Sequence, residues 1–189
     1  MGIKDCSDNE LIQLYLKGGE EAFDALYERY KRQVYSYLSR LLGGSNAECD
    51  DLFQQTWLKI IRRLPEYQCR QRFLAWAMRI AHNLAMDYFR HNRRNVTEDI
   101  ETQTEVLRDD LEPWRNMDRG ELARVLDRAL AELAPELREV FLLRMEKVNF
   151  KEIAEIQGCS INTALGRMQY ALRNLQRYIT DTEYGGGGK

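Results

Sequence analysis

Apolar side chains recur at three- and four-residue intervals along most of the chain, the spacing that gives an α-helix one apolar side. In the N-terminal half this pattern predicts a short helix after residue 7 and longer helices over residues 20–42, 46–64 and 72–94. Glycine pairs end the first two helices, and Pro65 ends the third. Ser7 with Glu10, and Ser45 with Glu48, have the spacing of capping boxes, which mark helix starts.

The C-terminal half is predicted to form a second group of helices. Asp118 opens one helix, Pro135 suits the first turn of the next, and residues 150–179 indicate a short helix, a tight turn with Gly158, and a longer helix capped by Ser160. The last arrangement is the helix-turn-helix pattern, whose second helix enters the DNA major groove. We therefore predict an all-α protein with two small helical domains over residues 7–95 and 118–180, a flexible acidic linker over residues 96–117, and a flexible tail over residues 181–189.

Charge and composition narrow the class of protein. The formal net charge is −2 and the pI is about 5.8, so the protein cannot coat nucleic acid by overall charge. No apolar run approaches a membrane span, and the polar N-terminus is unlike a secretory signal. The scattered cysteines indicate reduced thiols. We expect a cytoplasmic protein that does not insert into a membrane.

Catalytic and metal-binding chemistry is not indicated. Cys69, His82 and His91 do not have the spacing of a standard zinc site. Neither histidine has a plausible serine or cysteine nucleophile, and there is no phosphate-binding glycine loop. We predict a binding protein without a cofactor or metal, rather than an enzyme.

The helix over residues 72–94 has one apolar stripe and, on another side, Trp76, Arg79, Asn83 and Arg90. Around it the chain is rich in arginine, and Asp87 is the sole carboxylate between residues 69 and 95. Arginine screens phosphates, aromatic rings stack on unpaired bases with about 1–3 kcal/mol per base, and an asparagine amide can read a base edge. The alternative is a solvated basic surface with Trp76 filling the core.

The helix over residues 46–64 carries Asp51, Gln54, Gln55 and Leu58 opposite its apolar side. An acidic and amide surface edged by an exposed leucine is suited to docking the helices of another protein. The alternative is an ordinary solvated surface.

The predicted helix-turn-helix is segregated in charge. Residues 157–180 contain arginines and no carboxylate, so this helix can approach phosphates although the protein is acidic overall. Base-reading residues usually lie in the first turns of the second helix. The candidates are Ser160, Asn162, Thr163, Gly166, Arg167, Tyr170 and Arg173. The alternative is a helical packing module that does not contact DNA.

Both halves of the chain resemble a known family. The segments 50–57, 73–76 and 79–88 look like region 2 of the sigma-70 family of bacterial transcription initiation factors. Residues 133–141 and the helix-turn-helix are similar to region 4. With these two regions alone, the chain resembles the extracytoplasmic-function subgroup.

The resemblance implies a role for each surface. Asp51, Gln54, Gln55 and Leu58 would bind the β′ clamp helices of core RNA polymerase, and the C-terminal domain would meet the β flap. Asn83 would lie near the pocket for an extruded base. Promoter DNA at the −10 element would be bound by Arg70, Arg72, Trp76, Arg79, Asn83, Arg90, Arg93 and Arg94. Ser160, Asn162, Thr163, Gly166, Arg167, Tyr170 and Arg173 would bind the −35 element.

The resemblance also implies an anti-sigma factor as a partner and a linker that threads through the polymerase. Family members often carry basic residues where this chain has Leu165, Gln169, Tyr170 and Leu172, so weaker phosphate contacts are expected in this helix. Two other functions remain open from the residues alone: a stand-alone helix-turn-helix regulator, and a sigma-like interaction module without DNA binding.

Overall fold

The computed structural model describes residues 2–44, 47–68, 72–93 and 119–184, which contain helices and turns but no strand. The predicted all-α fold is confirmed. Short 3-10 turns lie at Ile3–Asp5 and Leu64–Glu66. The α-helices are α1 (Asp8–Leu16), α2 (Glu20–Leu42), α3 (Ala47–Arg63), α4 (Phe73–Arg93), α5 (Arg119–Ala131), α6 (Pro135–Met145), α7 (Phe150–Gln157) and α8 (Ile161–Tyr184).

Helix α1 begins at the predicted capping box. The Glu10 amide donates to Ser7 Oγ at 3.4 Å, and the Ser7 amide donates to Glu10 Oε2 at 2.7 Å. The backbone hydrogen bond from Ser7 lowers the pKa of the Glu10 carboxyl from its ordinary value. Ser45, the start of the second predicted box, lies outside the described residues.

Helices α1–α4 form the first bundle, in which α2 packs against each of the other three. Its interior includes Leu26, Leu38, Ile60 and Phe73, which are buried. Helix α4 is buried on more than the predicted stripe, because Met78 and Ala85 are also fully covered. Pro65 lies within the 3-10 turn that follows α3.

Helices α5–α8 form the second bundle, in which α8 packs against α5, α6 and α7. The predicted helix-turn-helix is present as α7, a turn with Gly158 at φ 61°, and α8. The Thr163 amide donates to Ser160 Oγ at 3.0 Å, as the predicted cap requires. Helix α8 continues to Tyr184, beyond the predicted domain end at residue 180, because no glycine or proline interrupts it before residue 185.

The two bundles pack against each other. Helices α2 and α4 of the first bundle contact α5, α6 and α7 of the second, and the buried residues of both join in one core cluster. The predicted linker over residues 96–117 lies outside the described residues. No helix within the described ranges is long and apolar enough to cross a membrane.

Candidate nucleic-acid and protein-binding surfaces

The α4 surface consists of Arg72, Trp76, Arg79, Asn83 and Arg90. Arg79, Asn83 and Arg90 are exposed, whereas Trp76 is half-buried. The Trp76 ring packs against Tyr67 and Phe73, with ring centroids 5.0 and 5.7 Å apart. Trp76 is therefore anchored in the core and partly open to solvent. Filling the core, as one interpretation of the sequence had it, is thus compatible with an open ring face for base stacking, as the other had it. A ring held in this way is suited to stacking on an unpaired base.

Two arginines of the α4 surface form ion pairs. Arg90 pairs with Asp87 at 3.2 Å, and both side chains are largely exposed, so this pair contributes little to stability. Arg72 crosses to the second bundle, where Nη2 donates to the Lys147 carbonyl at 2.7 Å and to Glu152 Oε2 at 3.1 Å. The hydrogen bond to Glu152 raises the pKa of the Arg72 guanidinium.

The other predicted −10 residues cannot be located. Arg70 and Arg94 lie outside the part of the chain that the structure describes, as does the side chain of Arg93 at the end of α4.

The α3 surface consists of Asp51, Gln54, Gln55 and Leu58. Asp51 and Gln54 are exposed, and half-buried Gln55 donates to Asp51 Oδ2 at 2.6 Å. Leu58 is 53% exposed, although Trp57 beside it is buried. A polar surface around an exposed leucine, on a helix fixed by its opposite side, is suited to binding a protein.

The α8 surface consists of Asn162, Thr163, Gly166, Tyr170 and Arg173. Their spacing places them on one side of α8, where all but half-buried Gly166 are exposed. A side chain at Gly166 would meet nothing within 4 Å, so the position is open on the solvent side. The Arg173 guanidinium lies over the Tyr170 ring, 5.7 Å from its centroid.

Three apolar side chains are exposed along α8. Ile161, Leu165 and Leu172 are 46%, 39% and 47% exposed. Leu165 and Leu172 are two of the four positions at which the resemblance led us to expect basic residues. The structure thus places leucines on an open surface, where they offer no charge to a phosphate.

Arg167 lies apart from the α8 surface. Its side chain is half-buried, and Nη1 donates to Gln157 Oε1 on α7 at 3.0 Å. Ser160 caps the helix through its hydroxyl, which also hydrogen-bonds the Thr163 hydroxyl at 2.9 Å. Of the predicted −35 residues, Arg167 therefore contacts the neighbouring helix α7, and Ser160 caps α8.

Sequence reasoning did not find a buried polar cluster formed by Tyr37, His82, Glu139 and Gln157. Glu139 is 1% exposed and accepts hydrogen bonds from the other three. These residues lie far apart in sequence, on four different helices, so no spacing within one helix brings them together. The available signal was a carboxylate in the apolar stretch of α6, next to Val140 and close to Leu142.

Within the described residues, no group of histidine, cysteine, aspartate or glutamate side chains is arranged to hold a metal ion. Cys69, considered for zinc with His82 and His91, lies outside those residues. His82 instead contacts a carboxylate of the second bundle: its Nδ1 lies 2.6 Å from Glu139 Oε1.

Comparison with known proteins shows which family both bundles resemble. The family model for sigma-70 region 2 matches residues 26–95, and that for sigma-70 region 4 matches residues 123–175. The chain is 32% identical over 177 residues to the RNA polymerase sigma factor CarQ of Myxococcus xanthus, covering 91% of this chain and 97% of that protein. It is 28% identical over 182 residues to the ECF RNA polymerase sigma-E factor of Haemophilus influenzae, covering 92% and 95%.

Two solved structures share the fold. One is the sigma factor RpoE in complex with the anti-sigma factor NepR from Bartonella quintana, with a TM-score of 0.66, 20% identity, and coverage of 84% of this chain and 96% of that chain. The other is CnrH in complex with the cytosolic domain of CnrY, with a TM-score of 0.65, 24% identity, and coverage of 92% and 97%. The chain belongs to the sigma-70 family of RNA polymerase sigma factors, in the extracytoplasmic-function subgroup.

Proposed function

We propose that this protein binds core RNA polymerase and directs initiation at promoters with −10 and −35 elements. The observation that carries the proposal is the pairing of two features: a surface on α4 with exposed arginines and asparagine around half-buried Trp76, and a helix-turn-helix in the second bundle. A stand-alone regulator needs only the second of these surfaces. The protein acts as a binding subunit, and the polymerase supplies the chemistry.

The α3 surface docks on the β′ clamp helices. The exposed amide of Gln54 and the Gln55–Asp51 pair provide hydrogen-bonding groups, and Leu58 provides an apolar contact. Since the opposite side of α3 is held by buried Trp57 and Ile60, the surface is rigid before docking. The β flap binds the second bundle, which places the helix-turn-helix upstream.

The α4 surface holds the −10 element as a single strand. Trp76 provides a ring for stacking, Arg79 and Arg90 neutralise phosphates, and Asn83 contacts an extruded base. Unstacking a base costs a few kcal/mol, and contacts in a pocket offset that cost without ATP.

The α8 surface reads the −35 element in the major groove. Asn162 and Thr163 lie in the first turn of α8, where base contacts are usual. Arg173 and Tyr170 lie further along the same side. With Leu165 and Leu172 in place of cations, duplex binding by this helix is weak alone and depends on the polymerase.

A cytoplasmic location and an anti-sigma partner are further parts of the proposal. We infer both from membership of the family. The location is inferred because members of the family act on RNA polymerase. The anti-sigma part is tested by co-purification from cells in which the factor is inactive.

Reconstitution tests the main proposal. The full-length protein is added to core polymerase with a library of random upstream sequences, and the transcripts are sequenced. We expect transcripts enriched for two elements separated by a fixed spacing. Tight, salt-resistant binding of duplex DNA by the protein alone, with no transcript, would establish a stand-alone regulator instead.

Substitutions locate the docking surface. We expect Gln54→Ala with Gln55→Ala to weaken binding to core polymerase by about thirtyfold, since two lost hydrogen bonds contribute about 1 kcal/mol each. Gln13→Ala on α1, also an exposed glutamine, is the matched control. Unchanged core affinity in a folded double variant would remove the α3 surface from the proposal.

Asn83→Ala tests base capture. We expect it to slow promoter opening more than it weakens the closed complex, because the amide acts after strand separation. Permanganate reactivity of the −10 thymines reports opening, and filter binding reports the closed complex. Equal losses in the two steps would contradict the role of Asn83.

A further inference from the structure

Leu165 is an exposed aliphatic side chain among polar groups at the start of α8. It lies in the second turn of the helix and is 39% exposed. Asn162, three residues before it, and Gln169, four residues after it, are exposed amides. Because residues three and four apart share a side of a helix, the leucine lies in one row with two amides.

The backbone of α8 is open beside Leu165. A Cβ on Gly166 would meet no atom within 4 Å. Since glycine has no side chain, another molecule can approach the helix backbone closely at this position. The leucine next to it extends beyond that open backbone and is suited to reach the edge of a base pair.

The first turns of α8 offer no cation to a base. Residues 161–166 contain neither lysine nor arginine. Arg167 follows them, but its Nη1 donates to Gln157 Oε1 on α7 at 3.0 Å. Arg173 lies further along, with its guanidinium over the Tyr170 ring. Arginine or lysine on guanine is the commonest base-specific contact, so these turns must read DNA by other groups.

An aliphatic side chain matches one feature of the major groove. Thymine presents a C5 methyl group there, beside its O4 acceptor, and apolar side chains recognise that methyl group. Asparagine and glutamine amides pair with adenine, the partner of thymine. Leu165 between Asn162 and Gln169 is therefore suited to a row of A·T pairs.

Charge favours DNA over a protein as the molecule that covers Leu165. Residues 157–180 contain three arginines and no carboxylate. Phosphates are attracted to such a segment. A protein partner would contact the leucine without regard to the bases, which makes the two occupants distinguishable by experiment.

We propose that Leu165 is a specificity-determining residue that reads a thymine of the −35 element through its C5 methyl group. The inference rests on the proposed function, because the −35 element is the duplex that α8 reads. Burial of one methyl group is worth about fourfold in affinity, from about 0.8 kcal/mol. The −35 element therefore contains a thymine whose methyl group is required in addition to its base pairing.

The test removes the methyl group and the leucine separately. Promoters are selected from a random library with holoenzyme made from the full-length protein, and each thymine of the upstream element is replaced in turn by deoxyuridine. Deoxyuridine keeps the pairing groups and lacks only the methyl. Filter binding measures the affinity of the closed complex for wild type and Leu165→Ala.

Leu172→Ala is the matched control. Leu172 is also an exposed leucine of α8, at 47%, but it lies about 10 Å further along the helix, beyond the first turns where base contacts are usual. Circular dichroism checks that both variants keep their helix content. Both side chains are exposed, so the fold is expected to survive.

At one thymine, we expect deoxyuridine to weaken wild-type binding about fourfold, Leu165→Ala to bind both promoters equally, and Leu172→Ala to keep the fourfold ratio. An element without thymine, or a wild-type ratio of one at every thymine, would overturn the inference. A ratio that Leu165→Ala retains would overturn it too, and a uniformly weaker Leu165→Ala would then indicate a protein contact. Loss of the ratio in both variants would remove the assignment to Leu165.

Binding by the free protein separates this inference from the proposed function. If no promoter gives a transcript, duplexes are selected with the free protein at low salt, which strengthens phosphate contacts. Transcripts with a ratio of one contradict the methyl contact and leave the proposed function standing. A fourfold ratio in the free protein that Leu165→Ala abolishes, without any transcript, does the reverse.

Discussion

The α4 surface and the α8 surface are both exposed sides of long helices, yet they are built differently. On α4, Trp76 is anchored by Tyr67 and Phe73 beside exposed Arg79. On α8, polar side chains predominate, and the exposed neighbours Leu165 and Leu172 carry no charge.

The difference indicates two kinds of DNA contact. A fixed aromatic ring with cations around it suits unpaired bases, which present their faces. Small polar side chains at a helix start suit the base edges of an intact duplex. Under the proposed function, the same secondary structure would support strand capture in one bundle and groove reading in the other, because the side chains differ.

Removing the aromatic ring from the α4 surface should have the largest effect. We expect Trp76→Ala to reduce open-complex formation by tenfold or more, given stacking of about 1–3 kcal/mol per base. Trp76→Phe is the control, because it keeps an aromatic face. Fluorescence of 2-aminopurine in the −10 element measures opening, and thermal melting checks the fold. An equal loss of the closed complex would mean that the α4 surface, like the α8 surface, contacts duplex DNA, which would contradict the proposed difference between them.

Two tyrosines of α2 differ in where the partner of the hydroxyl lies. Burial raises the pKa of Tyr30, paired inside the first bundle, and of Tyr37, paired across the interface. A raised pKa in the folded state means that the stabilisation is complete below the ordinary value of about 10 and is lost as pH rises above it.

We therefore expect unfolding midpoints to fall above about pH 10. We expect that loss of the Tyr37 contact with Glu139, which joins the bundles, also raises the radius of gyration at alkaline pH. Tyr37→Phe should flatten the fall in stability and remove this pH-dependent rise, whereas Tyr30→Phe should flatten the fall alone. Urea titrations and scattering between pH 8 and 11, as a rough range around the tyrosine pKa, check both. If the two variants gave the same dependence of stability and of the radius of gyration on pH, titration of Tyr37 would have no separate effect on the interface.

Removing one cation from the α8 surface should have a smaller effect. We expect Arg173→Ala to weaken closed-complex formation a few-fold and to reduce the slope of log affinity against log salt by about 1, as for a phosphate contact. Arg124→Ala, exposed on α5, is the control. A slope unchanged from wild type would place Arg173 away from phosphate.

A turn in the second bundle should give the smallest effect. Lys147 has φ 61°, which is a left-handed conformation. In the first bundle, the residue with this conformation at the end of α2 is a glycine, Gly43. We expect Lys147→Gly to stabilise the protein by about 0.5–1 kcal/mol, since glycine adopts this conformation without a Cβ clash. Urea unfolding measures the change. A destabilised variant would mean that the lysine side chain contributes more than the strain it causes.

Much of the fold could be predicted because local signals determine it. The Ser7–Glu10 box, the α2 bounds and the Ser160 cap appear as predicted, since each depends on residues within a few positions. The candidate surfaces could be predicted for the same reason, because residues three or four apart share a side of a helix. Their binding roles remain proposals.

Arg167 and Glu139 show where local reasoning ends. Spacing alone put Arg167 among the DNA-binding candidates, but its guanidinium is held by Gln157 of the neighbouring helix. Glu139 looked like one more charged residue of α6, although it is buried against the other bundle. In both cases the partner is supplied by another element, and no spacing within one helix can reveal it.

The sequence by itself determined the helices, their caps, their apolar sides and the family, because these depend on side chains close together in the chain. The tertiary structure alone decided how the bundles meet: Tyr37 and His82 on Glu139, and Arg72 on Glu152. The physical reason is that these contacts join residues far apart in sequence. Their donors and acceptors pair only when the chain brings the two bundles together.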